Sequence, residues 1–361
     1  MLLYLFILPL FLCFLLLLFV FLPFDKKRIT TLLDKEKPLV SIFVAARNEE
    51  KTIVRCLEAL SKLTYSNIEI LIGNDHSDDN TLSLVQAFIL DKPQFSVFTI
   101  EANLGTAKGK SNVLAQLAHK AKGDYFFVTD ADTEVPSQWV EFMFEGFDDE
   151  VGIVTGITTL KTKSWFDTFQ QIDWLYALSL VKVVSDFGFP ITSMGNNMAV
   201  KKEAYWQTGG YENLPFSITE DFQLFKKIID KGWGFKNLFQ KEVLATSLPL
   251  KNFLALYHQR KRWMIGAMQL PFHFLLLLYL QALFYPIIAV LFFVDFDWTL
   301  NIVLLKAIIQ ALFVAKAYRK LQQPIPWLQV GLFEFYSTFL SVSMLVFYYL
   351  PIKVNWKGRK Y

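Results

Sequence analysis

Asp130-Ala131-Asp132 is the most informative triplet in the sequence. Two carboxylates at i and i+2, just past an apolar run, present hard oxygen ligands of the kind that hold Mg2+ or Mn2+. A cation there neutralises a diphosphate and stabilises a leaving group as negative charge develops. The plain alternative is a solvated turn at a strand end. Upstream, residues 74–81 form an acid-rich loop, Asn-Asp-His-Ser-Asp-Asp-Asn-Thr. Asp75 stands nearest the preceding apolar run, where its carboxylate can accept a hydrogen bond from a base N–H. Asp79 or Asn80 serves equally well as a cap for a helix starting at Thr81. His76 reads as a loop residue.

Three further clusters carry charge. Residues 103–111 are close to a phosphate-binding P-loop, but only Thr106, Ala107 and Lys108 separate Gly105 from Gly109, and that motif needs four residues between its glycines. The shortfall argues against a nucleoside-triphosphatase. Lys108 or Lys110 can still steady a diphosphate as a point charge, unless both are solvated lysines of a first helical turn. Thr219-Glu220-Asp221 reads as a helix start, with Thr219 as cap and the acids favoured by the dipole. A rigid position of this kind also suits Asp221 as a general base for an acceptor hydroxyl. Gln259-Arg260-Lys261-Arg262-Trp263 precedes a long apolar block. Such residues anchor to anionic head groups and the membrane interface. In a functional reading, Arg262 pairs with the diphosphate and Trp263 lines the acceptor entrance.

These clusters need elements to position them. From Pro38 the pattern alternates: strands at 39–45, 68–72, 95–100 and 125–128, with helices at 49–63, 81–90 and 107–121 between them. Such alternation predicts an α/β domain with a mostly parallel sheet covered by helices. In open sheets of this type, ligands bind beyond the carboxyl ends of the strands. Arg47, Asn48 and Glu49 follow the first strand, Asn74 and Asp75 the second, Asn103 and Gly105 the third, and Asp130 and Asp132 the fourth. All four groups therefore share one edge, and one cleft.

Of the 361 residues, the first 24 contain no charged side chain, a run long enough to cross a bilayer. No basic stretch precedes it and no small-residue cleavage site follows, which favours a retained anchor. Lys26, Lys27 and Arg28 come next, and the positive-inside rule places them in the cytoplasm. Apolar stretches recur at about 270–294, 298–315 and 327–350, predicting about three C-terminal spans. Glu334 makes a plain lipid-facing helix costly in the last stretch, so a re-entrant or partly interfacial segment is the alternative there. The organisation expected is an N-terminal transmembrane anchor (1–24), a cytosolic catalytic domain (38–250), an interfacial amphipathic helix (252–268) and a C-terminal transmembrane region (270–352). The net charge of +3 points to no particular partner. There is no basic tract interleaved with aromatics and no zinc spacing, so no nucleic acid is expected. Cys13 and Cys56 have no metal-type spacing and would stay reduced in a cytosolic domain.

Taken in order and at this spacing, these residues resemble the family 2 glycosyltransferases, which have the GT-A fold. The resemblance covers roughly residues 38–268. Val44-Ala45-Ala46-Arg47-Asn48-Glu49 is similar to the family's opening strand, which borders the nucleotide through Ala45, Arg47 and Glu49. Asp75 matches the aspartate that contacts uracil, and Asp130 and Asp132 match the metal-binding D-x-D. Residues 195–199 and Gly209-Gly210-Tyr211 look like the acceptor-side segment. Asp221 matches the base of the T-E-D motif. Gln259, Arg262 and Trp263 match the Q-x-x-R-W motif of membrane members, which include synthases of cellulose, hyaluronan and poly-N-acetylglucosamine, ceramide glucosyltransferases and carotenoid glycosyltransferases. Asn74 departs from the usual first aspartate of a D-D pair, and His76 from a common glycine. The resemblance implies an inverting, metal-dependent transfer from a nucleotide sugar, a UDP-sugar foremost, with Asp130, Lys108 and Arg262 on the diphosphate side. The implied acceptor is a membrane-associated lipid. Processive polysaccharide synthesis on a glycan acceptor is the alternative. A catalytically silent membrane scaffold is disfavoured by the joint presence of Asp75, Asp130, Asp132 and Asp221. The implied location is the cell membrane, with membrane lipids as partners and the catalytic domain in the cytoplasm.

Overall fold

The structure is a computed structural model that describes residues 2–21, 37–356 and 359–360. The basic cluster Lys26-Lys27-Arg28 and the end of the apolar run at 22–24 lie outside the described residues. The chain divides into two compact units. One comprises 25–159 and 184–248, the other 1–24, 160–183 and 249–361. The stretch read from sequence as one domain, 38–250, thus lends residues 160–183 to the second unit.

In the first unit, strands β1 (Val40–Ala46), β2 (Ile68–Asn74), β3 (Phe95–Thr99) and β4 (Tyr125–Asp130) alternate with helices. The helices are α2 (Ile53–Ser61), α3 (Thr81–Ile89) and α4 (Lys110–Lys120); α1 belongs to the other unit. Strands covered on both faces read as near-continuous apolar runs, and β1 is such a run, buried almost throughout. Helix α2 buries Ile53, Cys56, Leu57 and Leu60, the stripe expected of 3.6-residue periodicity. Beyond β4 come α5 (Trp139–Phe144), β5 (Val151–Thr155), β6 (Ile157–Leu160), β7 (Asn197–Lys201), α7 (Lys202–Gln207), α8 (Glu220–Asp230), β8 (Gly234–Asn237) and β9 (Leu244–Ser247).

The main sheet has the order β3-β2-β1-β4-β7-β5-β8. β1 pairs in parallel with β2 and β4, whereas β7 runs antiparallel between β4 and β5. Register aligns Ala46 with Asn74, and Ala45 with Asp130. It also sets Thr129 opposite Asn197, so β7 begins where β4 ends. Phe43, Leu71, Val113, Phe126, Met198 and Phe225 form part of the core beneath this edge.

The second unit is helical. It holds α1 (Leu2–Phe21), most of α6 (Trp165–Asp186), α9 (Phe253–Ala267), α10 (Phe272–Val294), α11 (Phe296–Lys320) and α12 (Trp327–Tyr349). By length and composition, α10, α11 and α12 are each sufficient to cross a membrane. α1 is a 20-residue apolar helix with Pro9 inside it. Leu12 and Leu16 of α1 pack with Phe284 and Ile288 of α10 and with Ile309 and Phe313 of α11. The last apolar segment is an uninterrupted 23-residue helix. Glu334, the residue that argued against a plain span, is buried and paired with Lys306 of α11 at 2.6 Å. Lys306 also donates to the Tyr285 hydroxyl and the Gln310 side-chain carbonyl.

Candidate active site at the carboxyl edge of the sheet

Asp130 is the last residue of β4, and Asp132 follows in a tight turn closed by the Thr133 N–H donating to the Asp130 carbonyl at 3.0 Å. Helix α2 braces that turn. Arg55 donates to the Asp132 carbonyl at 2.9 Å and pairs with Glu134 at 2.6 Å. The buried Cys56 thiol lies 3.5 Å from the Asp130 carbonyl, and burial pushes its pKa up, so it is an inert thiol.

Helix α4 brings a cation to Asp130. Gly109 has φ of 60°, a left-handed conformation open to glycine, and α4 starts directly after it. The expected helix start at 107 is therefore three residues early, and the lysine that meets the carboxylates is Lys110 instead of Lys108. Lys108 is exposed, with its ammonium 5.9 Å from the Phe216 ring centroid. The Lys110 ammonium lies 2.5 Å from Asp130 Oδ1, 3.2 Å from Glu220 Oε1 and 3.4 Å from the Gly195 carbonyl. Burial alone pushes the pKa of Lys110 down, but Asp130, Glu220 and Asp221 outweigh it and hold the group above the usual lysine value. The ammonium is therefore charged.

Glu220 and Asp221 open α8. Thr219 occupies the cap position, yet its hydroxyl meets Ser217 at 3.0 Å and makes no capping bond to the helix. Asp221 Oδ2 accepts the Gly195 N–H at 2.8 Å, Oδ1 accepts its neighbour's N–H at 2.9 Å, and Ser193 donates to the Asp221 carbonyl at 2.9 Å. A Cβ on Gly195 would stand 2.8 Å from Asp221 Oδ2, so only glycine permits this approach. Two residues after Gly195, Asn197 is fully buried. It accepts from Trp139 Nε1 and donates to the carbonyls of Ile157 and Val243, pinning the start of β7. Asn197 is thus a structural staple. Tyr211, Ser111, Gln223 and Glu220 line a small recess.

On the other side of β4, Ala45 is half-exposed near the end of β1. Arg47 donates to the Asp75 carbonyl at 2.9 Å and stands 3.8 Å from its carboxylate. Glu49 is turned inward, accepting from the Thr52 hydroxyl at 2.6 Å while its N–H donates to Thr81 Oγ1 at 2.7 Å. At the next helix, Asp79 and not Asn80 accepts the Thr81 N–H. Asn74 is buried at the end of β2, and its side-chain carbonyl has no hydrogen-bond partner among the described residues.

Gln259, Arg262 and Trp263 lie on α9 in the helical unit. There Arg260, read from sequence as a basic residue at the membrane interface, packs 4.3 Å over the Trp263 ring and bonds to Asp173 of α6. Trp263 meets Trp174 edge-on at 4.9 Å. Lys261 is buried and donates to the Leu350 carbonyl at the end of α12.

Carboxylates and a lysine gathered beyond one edge of a mostly parallel sheet suit group transfer from a phosphorylated donor. The family model described as Glycosyl transferase family 21 matches residues 8–361. The chain belongs to glycosyl transferase family 21. The motifs alone pointed to family 2, and the two readings share the coarser class, a glycosyltransferase with a GT-A-like fold. Poly-beta-1,6-N-acetyl-D-glucosamine synthase of Staphylococcus aureus (strain COL) is 28% identical over 230 residues, 63% of this chain and 54% of that protein. The synthase of the same name from Staphylococcus epidermidis is 26% identical over 247 residues, 68% of this chain and 58% of that protein. This family 21 chain thus spans little more than half the length of these curated relatives. Mannosyltransferase PcManGT from Pyrobaculum calidifontis, solved in complex with GDP-Man and Mn2+, aligns with 95% of this chain and 96% of its own at TM-score 0.56 and 17% identity, a likeness of fold.

The donor set fits a divalent cation completed by substrate. Among the described residues no group of three or more ligating side chains gathers. Asp130 and Asp132 supply two carboxylates. Mg2+-type ions are commonly held by one or two carboxylates, with phosphate oxygens and water in the other positions. The Asp130 side chain is 36% exposed, so those positions open to solvent.

Proposed function

We propose that this family 21 member transfers a sugar from a nucleotide sugar to a hydroxyl acceptor at a membrane, with inversion at the anomeric carbon. One placement carries the reading: Asp221, Glu220, Lys110 and Asp130 meet at the carboxyl edge of the sheet. Asp221 takes the proton of the acceptor hydroxyl. The oxygen attacks the anomeric carbon, the bond from that carbon to the diphosphate oxygen breaks, and the diphosphate leaves with the electron pair. Asp130 and Asp132 would hold a divalent cation, Mg2+ or Mn2+, which would supply neutralising charge for the leaving group. Lys110 adds a positive charge on the same side, and fixed charges of this kind account for much of such catalysis. Asp75, Arg47 and Ala45 border the nucleotide.

The three long apolar helices support a membrane protein. The basic cluster after α1 supports a cytoplasmic catalytic unit, and an α9 lying in the interface suits a lipid acceptor. A second reading, processive polysaccharide synthesis, is favoured by the names of the curated relatives. The test is a screen of UDP- and GDP-sugars with purified full-length protein in membrane lipid, read as cation-dependent release of nucleoside diphosphate and as product length. Glycolipid supports the first reading, and a polymer ladder supports the second. Asp221→Asn should bind UDP within about twofold of wild type yet lose transfer by about 100-fold or more. Transfer at wild-type rate by that variant would remove Asp221 from the role of base.

A further inference from the structure

We propose that Lys110 is an internal counter-ion that competes with the divalent cation for Asp130, so that the cation binds tightly only together with the nucleoside diphosphate. The inference rests on Asp130 as a cation ligand, as argued above, and adds an order of binding to it.

Three acceptors surround the Lys110 ammonium: Asp130 Oδ1 at 2.5 Å, Glu220 Oε1 at 3.2 Å and the Gly195 carbonyl at 3.4 Å. An ammonium has three N–H donors, so the cradle matches its capacity. The three acceptors come from β4, α8 and the segment before β7, so the lysine ties three parts of the edge together. Its side chain is 13% exposed and Glu220 is 6% exposed, which makes this an enclosed pair and not a surface contact.

A cation of this class sits about 2.1 Å from its oxygen ligands. Placed on Asp130 Oδ1 with Lys110 undisturbed, it would stand less than about 5 Å from the ammonium, where like charges in a half-buried site repel strongly. The lysine must therefore yield. Its four-carbon stem allows that, but its destination matters. A cation arriving alone displaces the ammonium from its three acceptors and supplies none in their place. A cation arriving with a diphosphate brings anionic oxygens that receive the displaced ammonium. Cation and nucleotide then favour each other beyond direct chelation, and the coupling is reciprocal.

The experiment titrates Mn2+ against full-length protein in detergent micelles, by electron paramagnetic resonance of free Mn2+, without nucleotide and then with saturating UDP. Wild type should bind Mn2+ alone weakly and gain strongly with UDP. Lys110→Met should bind Mn2+ alone about tenfold more tightly, and its gain from UDP should shrink by about the same factor. Lys110→Arg, which keeps the charge, should stay near wild type. Unchanged or weaker binding of Mn2+ alone by Lys110→Met overturns the proposal. Lys110→Gln, which can still hydrogen-bond Glu220 and the Gly195 carbonyl, gives the same reading if the methionine variant does not fold. Wild type binding Mn2+ equally well with and without UDP also overturns it. A wild type that turns over no nucleotide sugar would sink the proposed function. An active wild type whose Mn2+ affinity ignores Lys110 would sink this inference alone.

Discussion

The Asp221 carboxylate is held from two directions, by the Gly195 N–H on one oxygen and by the first turn of α8 on the other. That grip fixes where a proton can be collected, and the missing side chain at position 195 makes it possible. Gly195→Ala inserts a carbon 2.8 Å from both the Asp221 Cβ and Oδ2, closer than real contacts allow. Asp221 must rotate or the segment before β7 must retreat. A displacement near 1 Å at a reacting group costs about 100-fold in rate, so kcat should fall by roughly that factor. The UDP dissociation constant should stay within about twofold, because the clash lies on the transfer side of the site. A kinetic comparison with direct UDP titration checks both halves. Equal losses in kcat and UDP affinity would mean that the edge as a whole had collapsed.

Helix α2 acts on the site as an element, without touching a substrate position. Its Arg55 reaches the Asp132 carbonyl and Glu134 and so holds the turn that aims both aspartates. Arg55→Met should therefore raise the Mn2+ concentration needed for half-maximal activity by about tenfold, the usual scale for removing an outer support of a metal ligand. Stability should change by less than about 1 kcal/mol, because Glu134 is partly exposed and loses only a surface-type ion pair. A Mn2+ titration with a thermal melt separates the two effects. The helices and strands up to Asp130 were legible in the sequence because each is a short periodic run bounded by polar turns. Their shared edge followed from parallel pairing. Lys110 was not distinguishable from Lys108 by pattern. The left-handed turn at Gly109 decides which lysine faces the carboxylates, and periodicity does not report that turn. Glu220 read as a helix-start acid because its ion-pair partner, Lys110, lies far away in sequence. The role of Asn197 was equally hidden, since its partners come from α5 and from the segments around Ile157 and Val243.

At the scale of the whole molecule, the apolar blocks at both ends were plain from composition, but residues 160–183 were not recognisable as part of the helical unit. Their sequence is mixed, and membership is set by packing. Composition also left the meaning of Glu334 open. In the helical unit it pairs with Lys306, both nearly inaccessible, with Tyr285 and Gln310 completing the shell of the lysine. A buried pair of this kind adds little net stability, whereas a lone buried charge is costly. Glu334→Leu should therefore destabilise the detergent-solubilised protein by about 3–5 kcal/mol, because it strands the Lys306 ammonium between α11 and α12. Combining it with Lys306→Met should restore stability to within about 1 kcal/mol of wild type, since neither charge then needs a partner. Thermal unfolding of the single and double variants in one detergent gives the comparison. A double variant no more stable than Glu334→Leu alone would show that the pair contributes through its hydrogen-bonded shell as well as its charge. The Tyr285 and Gln310 contacts would then be what keeps α10 and α12 in register on α11.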